Sequence, residues 1–402
     1  MTALPTLSRR ARWAVPAGAV AIAGAVTAGV LISAAASASP ELPARTPAQL
    51  LAALAARTGP PPALTGTVVE TASLGIPQLP NIDNQNSAVS LLAGSHTVKV
   101  WYADPAHFRL SMPTTMNETD VIRSGRQAWL WQSNTNSVTK LTLPAHTAGA
   151  RSSAAASPTP APSQVPLTPQ QAASQVLKIV GKSTRVSVQR TVTVAGQPAY
   201  QLVLSPKSSG SLIGRVSIAI DASNNVPLRV QVFARGGSSP AFQVGYTLIS
   251  FVRPAAANFT FSPPPGAKVK TVTVPSEAAG KQKPSAAERK AASQFQVIGQ
   301  NWLSVAVLPA SVLSEVTGGS TAAAASQAAQ AAVPGNSAGG GSGETAAILH
   351  ALVGSATPVH GAWGSGRLLH TTLVNMLITD NGHVLIGAVT PSVLENAAAQ
   401  VK

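Results

Sequence analysis

Between Leu64 and Val252 the chain reads as one short strand after another, and most connections are too short to carry parallel crossovers. The pattern points to one antiparallel sheet. Candidate strands cover 64–71, 95–102, 107–113, 117–123, 126–132, 137–143, 184–194, 198–205, 212–221, 226–235 and 240–252. Many alternate in polarity. Val186, Val188, Val192 and Val194 share one face, with Ser187, Gln189, Thr191 and Thr193 on the other. Val216, Ile218 and Ile220 repeat the pattern, as do Leu228, Val230 and Val232. Turn residues separate the runs at Ser124-Gly125, Ser133 to Asn136, Ala195-Gly196 and Ser223-Asn224-Asn225.

Two helices interrupt this series. Thr46-Pro47 and Thr168-Pro169 each place a capping hydroxyl before a proline at the first helical position. Leu50, Leu51 and Leu54 line one face of the first helix; Ala172, Val176, Ile179 and Val180 line the second. A sheet of about eleven strands curls. Helices packed inside the curl leave an apolar cavity; helices laid on a filled sandwich leave none. The pattern alone admits both arrangements.

The first forty residues address the chain to the far side of a membrane. Arg9, Arg10 and Arg12 precede an uncharged apolar run from Ala14 to Ala36, and Ala36-Ser37-Ala38 supplies a small-x-small cleavage pattern. Either the segment is cut after Ala38, or the run stays as an N-terminal membrane anchor, being long enough to span. The expected location is extracytoplasmic, secreted or anchored to the outer face of the cytoplasmic membrane. Nucleic-acid partners are not expected there. Zero cysteines mean that packing, not disulfides, holds the fold. The net charge of +15 suits anionic headgroups or wall polymers, or serves only solubility.

Three stretches are too poor in large apolar residues to bury a core. Residues 145–166 read as a disordered insert, 271–293 as a linker and 317–343 as a low-complexity loop. The expected organisation is a signal or anchor at 1–38, a large domain at 44–270 and a small α+β domain at 294–400. In the small domain, Trp302, Val305 and Val307 lie on a strand-like segment. Asp380-Asn381-Gly382 joins two apolar runs, 367–379 and 383–390, as a hairpin. A helix follows Pro391, with Val393, Leu394 and Ala397 inward.

Catalytic patterns are missing from the sequence. Thirteen acids, seven histidines and no His-x-x-x-His or cysteine pair give no metal signature. No Gly-x-Ser-x-Gly occurs, and the glycine-rich 339–343 lacks the ending of a phosphate loop. Glu118 and Asp120 share a strand face and read as a solvated edge; His96 and His107 read as surface residues. We therefore expect no enzyme, no catalytic residue, no metal and no cofactor. The aromatic residues cluster on the strands: Trp101, Tyr102, Phe108, Trp129, Trp131, Phe242, Tyr246 and Phe251. They form either an ordinary core patch or the wall of a pocket for acyl chains. In the second reading the cavity is lined by Val68, Val100, Phe108, Leu110, Trp129, Trp131, Val216, Ile218, Val230, Val232 and Tyr246. Such a pocket binds without charges, since each buried methylene contributes about 0.8 kcal/mol.

The order helix, strands, helix, strands resembles the LolA fold, an incomplete β-barrel closed by helices around a lipid-binding cavity. Leu64-Thr-Gly-Thr-Val-Val-Glu70 resembles its first strand, and Phe259-Thr-Phe-Ser-Pro-Pro-Pro-Gly-Ala-Lys-Val269 resembles its Phe-x-Phe-x-Pro-Pro-x-Gly ending. The second half resembles RseB, which joins a LolA-like domain to a small C-terminal one. Trp302-Leu-Ser-Val-Ala-Val-Leu-Pro309 and Ile386-Gly-Ala-Val-Thr-Pro391 resemble that domain's landmarks. The Ala-rich, cysteine-free style resembles actinobacterial chains. The resemblance implies an exported carrier for acyl lipid, glycolipid or lipoprotein. Its alternative is an envelope-stress regulator whose C-terminal domain binds an anti-sigma factor or other membrane-protein partner. The inserts 145–166 and 317–343 belong to neither pattern.

Overall fold

The computed structural model describes residues 40–56, 59–75, 93–143, 168–178, 181–273, 296–309 and 354–401. The signal run with Ala36 and Ala38, the stretches 145–166 and 317–343, and linker residues 274–293 lie outside the described residues. So do Ile179 and Val180.

Alternating polarity becomes a large sheet of twelve strands: β1 (Leu64–Ser73), β2 (Ala93–Asp104), β3 (His107–Pro113), β4 (Glu118–Ser124), β5 (Gln127–Gln132), β6 (Ser137–Thr142), β7 (Thr184–Val194), β8 (Gln197–Pro206), β9 (Ile213–Asp221), β10 (Pro227–Ala234), β11 (Pro240–Ser250) and β12 (Lys268–Thr273). Their spatial order is β12-β6-β5-β4-β3-β2-β1-β11-β10-β9-β8-β7, so β1 joins two runs of sequential hairpins. The sheet does not close: β12 and β7 are its two edges. This is the incomplete barrel of an α+β protein. One expectation needs correcting. All neighbours pair antiparallel except β12, which lies parallel to β6 with Val269 beside Val138. The chain after β11 crosses a face of the sheet before adding this strand, and the long crossing permits the parallel direction.

Helix α1 (Pro47–Ala56) and helix α2 (Pro169–Lys178) form where the capping signals stand. Each start is a reciprocal capping box. Thr46 N–H donates to Gln49 Oε1 at 2.8 Å, and Gln49 N–H to Thr46 Oγ1 at 3.2 Å. Thr168 and Gln171 repeat it at 2.9 and 3.3 Å. Helix α1 packs on β7, and α2 on β10 and β11. Leu50, Leu54, Ala172 and Ala173 of the helices join Leu202, Leu204, Ile218, Ile220, Leu228, Val230 and Val244 of the strands in one buried cluster. They share the inner face of the sheet. Each fully buried Leu or Ile there stabilises the fold by about 1.5–3 kcal/mol relative to exposure.

A second sheet holds β13 (Gln296–Ile298), β14 (Val305–Pro309), β15 (Thr357–Gly361), β16 (Gly364–His370), β17 (Asn375–Thr379) and β18 (His383–Gly387), in the order β13-β14-β18-β17-β16-β15. Helix α3 (Pro391–Ala398) packs on β17 and β18 through buried Leu394 and Ala397. The apolar run 367–379 is two strands, not one. Thr371 turns the chain between them, its Oγ donating to Val374 O at 2.7 Å. The 380–382 turn joins β17 to β18.

Both sheets lie in one compact unit, Leu42–Lys402. Ser211 bridges Val389, Leu212 N–H donates to Ala388 O at 2.9 Å, and Thr390 N–H to Gly210 O at 2.8 Å. Trp302 lies in a 3-10 turn (Asn301–Leu303), not a strand. Its ring is buried in the large sheet's core, and its Nε1 donates to Thr184 Oγ1 at 2.7 Å.

Candidate apolar groove

Gly66 stands at the centre of the site. On β1 it lies opposite Val100 of β2 and Ile249 of β11, both turned to the inner face. The register with β11 shifts between Thr67 and Val68, where Leu248 and then Tyr246 are the partners. This bulge leaves Thr247 and Leu248 both exposed and returns Ile249 to the inside. A groove of about 410 Å³ opens here, lined by Thr65 to Thr67, Lys99 to Trp101, Leu248 to Ser250, and Ala195. Its volume falls in the range of ligand pockets. Ala195 belongs to the β7–β8 turn, at the far edge of the curled sheet. It holds φ of 51° ahead of Gly196 at 78°, a left-handed pair that suits the twist of a tight hairpin.

The missing side chain of Gly66 is filled by Tyr246. A Cβ on Gly66 would stand 2.8 Å from the Tyr246 ring and from Leu248 O, so any larger residue displaces backbone. The Tyr246 hydroxyl meets the Gln170 side chain of α2 at 3.2 Å. Burial pushes the phenol up to about 12, although the Gln170 hydrogen bond pulls the other way. Tyr246 therefore stays neutral at physiological pH.

The structure divides the eleven sequence-nominated residues among four settings. Val68, Val216, Ile218, Val230 and Tyr246 are buried in the inner cluster, with Val232 half-buried against it. Val100 lines the groove. Phe108 and Leu110 face inward too, because they pair with Tyr102 and Val100, and both are half-buried. Leu110 continues a row through Val121 and Leu130, also half-buried and apolar. Trp129 and Trp131 are not brought to this face. They pair with Ile122 and Asp120, so both rings lie on the outer side of the sheet.

The outer side of β3 to β6 is sealed by a strap, the segment from Arg253 to Lys268. Phe261 packs on Trp129 and Trp131, with ring centroids 6.1 and 6.4 Å away. Phe259 meets the His107 ring at 6.1 Å. Arg253 donates to Asp104 Oδ2 at 3.0 Å. Partial burial works to raise the Asp104 pKa, but hydrogen bonds from His107, Ala106 N–H and Arg253 outweigh it and hold the carboxyl below its usual value.

Glu118 and Asp120 do not form a solvated edge. Asp120 is fully buried and accepts a hydrogen bond from Arg109 Nη2, while Ser111 Oγ donates to Glu118. The hairpin register sets Ser111 opposite Asp120 and Arg109 opposite Ile122, so the ladder itself assembles the network. Burial pushes the Asp120 carboxyl upward. Among the described residues no group of three or more His, Asp or Glu is placed to hold a metal ion. Nor is any helix among them long and apolar enough to cross a membrane.

Sequence reasoning passed over Gly66, Lys99, Ile249 and Ala195. A glycine inside the strand run Leu64 to Glu70 was the available signal, since such a glycine marks a bulge or a close approach.

No protein-family model matches the chain, and no curated protein matches it. Solved structures offer distant likenesses. The Pseudomonas aeruginosa MucA/MucB complex contains a chain 15% identical, with a TM-score of 0.37, covering 87% of this chain and 94% of that one. A LolA superfamily protein from Nitrosomonas europaea is 11% identical, with a TM-score of 0.21, covering 54% and 99%. A putative outer membrane lipoprotein-sorting protein domain from Vibrio parahaemolyticus is 10% identical, with a TM-score of 0.17, covering 52% and 93%. Likenesses this distant carry no function across.

Proposed function

We propose that the protein is an exported, non-enzymatic carrier that holds an acyl chain of a lipid, glycolipid or lipoprotein in the groove over Gly66. One observation supports this best: a groove of about 410 Å³ opens beside a half-buried apolar row, Leu110, Val121 and Leu130. An extended hydrocarbon laid there gains about 0.8 kcal/mol for each methylene taken from water. The test titrates delipidated protein with a fluorescent fatty acid. Ile249→Trp fills the groove and should abolish uptake. Trp131→Phe, on the outer side, should leave it unchanged. Uptake that ignores Ile249→Trp removes the groove from the account.

A second reading has its own support. Trp302 of the small sheet's segment is buried in the large sheet's core, so the two sheets are mechanically joined. A regulator that senses a ligand in one sheet and binds a membrane-protein partner through the other needs such a joint. Deleting residues 294–402 is a poor test, because it strips Trp302 from that core. Photo-crosslinking from exposed His360 on edge strand β15 keeps the fold intact. A single recurrent membrane-protein adduct is expected, and its absence speaks against this reading.

A further inference from the structure

We infer that one end of the large sheet docks on an anionic lipid bilayer. The inference rests on the acyl-chain reading of the groove, which opens at that end. Antiparallel register places five features together there: the β2–β3 turn at Pro105, the β4–β5 turn at Gly125-Arg126, the β7–β8 turn at Ala195, the β9–β10 turn at 222–226, and the exit of β11. The small sheet attaches at the opposite end, beside Gly210 to Leu212.

Two of the large apolar side chains most exposed among the described residues belong to this end. They are Leu248, 68% exposed, and Val252, 71% exposed. Leu248 borders the groove through its strand, and its side chain turns to the outer face, away from the inward Ile249.

The charges around these residues are positive and mostly lack acidic partners. Arg45 donates to Asn225 Oδ1, Arg123 to Gly125 O and Arg126 to Leu143 O, all neutral acceptors. Of the two aspartates here, Asp221 is buried and accepts from Ser223 and Asn224 N–H. Asp104 is held by Arg253 and His107. Cationic groups with neutral partners beside exposed apolar ones fit anionic headgroups above acyl chains. Each arginine near such a surface contributes about 1 kcal/mol, screened within a Debye length.

The chain also enters its fold at this end. Tyr200 Oη donates to Pro43 O at 2.8 Å, and Arg45 stacks on the Tyr200 ring at 4.9 Å. In sequence, the apolar run ending at Ala36 lies a few residues upstream. A bilayer at this end would receive or supply an acyl chain through the groove mouth without a long path through water.

The absence of native cysteine makes a position-resolved test clean. Full-length Leu248→Cys, Val252→Cys and Met116→Cys variants each carry one environment-sensitive fluorophore. Met116 lies on the β3–β4 turn at the opposite end and is 87% exposed. With vesicles of equal phosphatidylglycerol and phosphatidylcholine, the labels at 248 and 252 should brighten several-fold. Spin-labelled lipid should quench both, and the label at 116 should stay unchanged. Pure phosphatidylcholine should give a weak response, and Arg126→Ala should weaken the anionic response about fivefold. Quenching at 116 instead, equal quenching at both ends, or no change at 248 and 252 overturns the inference. Any tether through the N-terminal run is common to every variant, so tethering alone cannot mimic the expected pattern. Soluble fatty-acid uptake fails or survives independently: docking without uptake sinks the groove reading, and uptake without docking sinks this one.

Discussion

Strands β8 to β11 and strands β3 to β6 belong to one sheet, yet they close opposite faces. In β8 to β11 the inner face lies under α1 and α2, and Leu202, Ile218, Leu228 and Val244 are completely buried. In β3 to β6 the outer face is closed, by the Phe259 to Phe261 strap over Ile122, Trp129 and Val138. The inner row there, Leu110, Val121 and Leu130, is only half-buried. The difference teaches where binding capacity comes from. A half-sheet that draws its packing from the outside depends less on its inner face for stability, and on the proposed reading that face accepts the apolar ligand.

A denaturant series across the two halves sharpens this contrast. Ile218→Ala leaves a cavity in the closed half and should cost about 2–5 kcal/mol. Phe261→Ala removes the centre of the strap and should cost about 1–3 kcal/mol, since the ring is half-buried and the site relaxes. Leu130→Ala, on the open row, should cost less than about 1 kcal/mol while weakening fatty-acid uptake severalfold. Midpoints at constant slope report these differences. Should Leu130→Ala cost as much as Ile218→Ala, the open half is a core like the other, and the comparison breaks.

Much of this was legible in the sequence. Alternation located the eleven antiparallel strands, and Thr-Pro located the start of both helices. The twelfth strand escaped because Lys268 to Thr273 carries lysines and sits at an exposed edge, giving no apolar face to read. The two tryptophans show a deeper limit. Spacing by two established that Trp129 and Trp131 share a face, but alternation does not say which face is inside. That depended on Phe261, more than a hundred residues later, arriving on the outer side. The pair of half-buried Arg109 with buried Asp120 was within reach: the short turn after Pro113 fixes the hairpin register, and the register sets basic β3 against acidic β4. Trp302 was read as local to its own segment because nothing in a sequence announces a side chain that crosses into another sheet.

The most direct test of the central claim follows a spin-labelled stearate bound to the intact protein by methyl NMR. The account predicts line broadening at Leu110, Val121, Leu130 and Ile249, with Leu202, Ile218 and Leu228 sharp. Broadening spread evenly over both halves, or confined to the strap side near Val138, would contradict it.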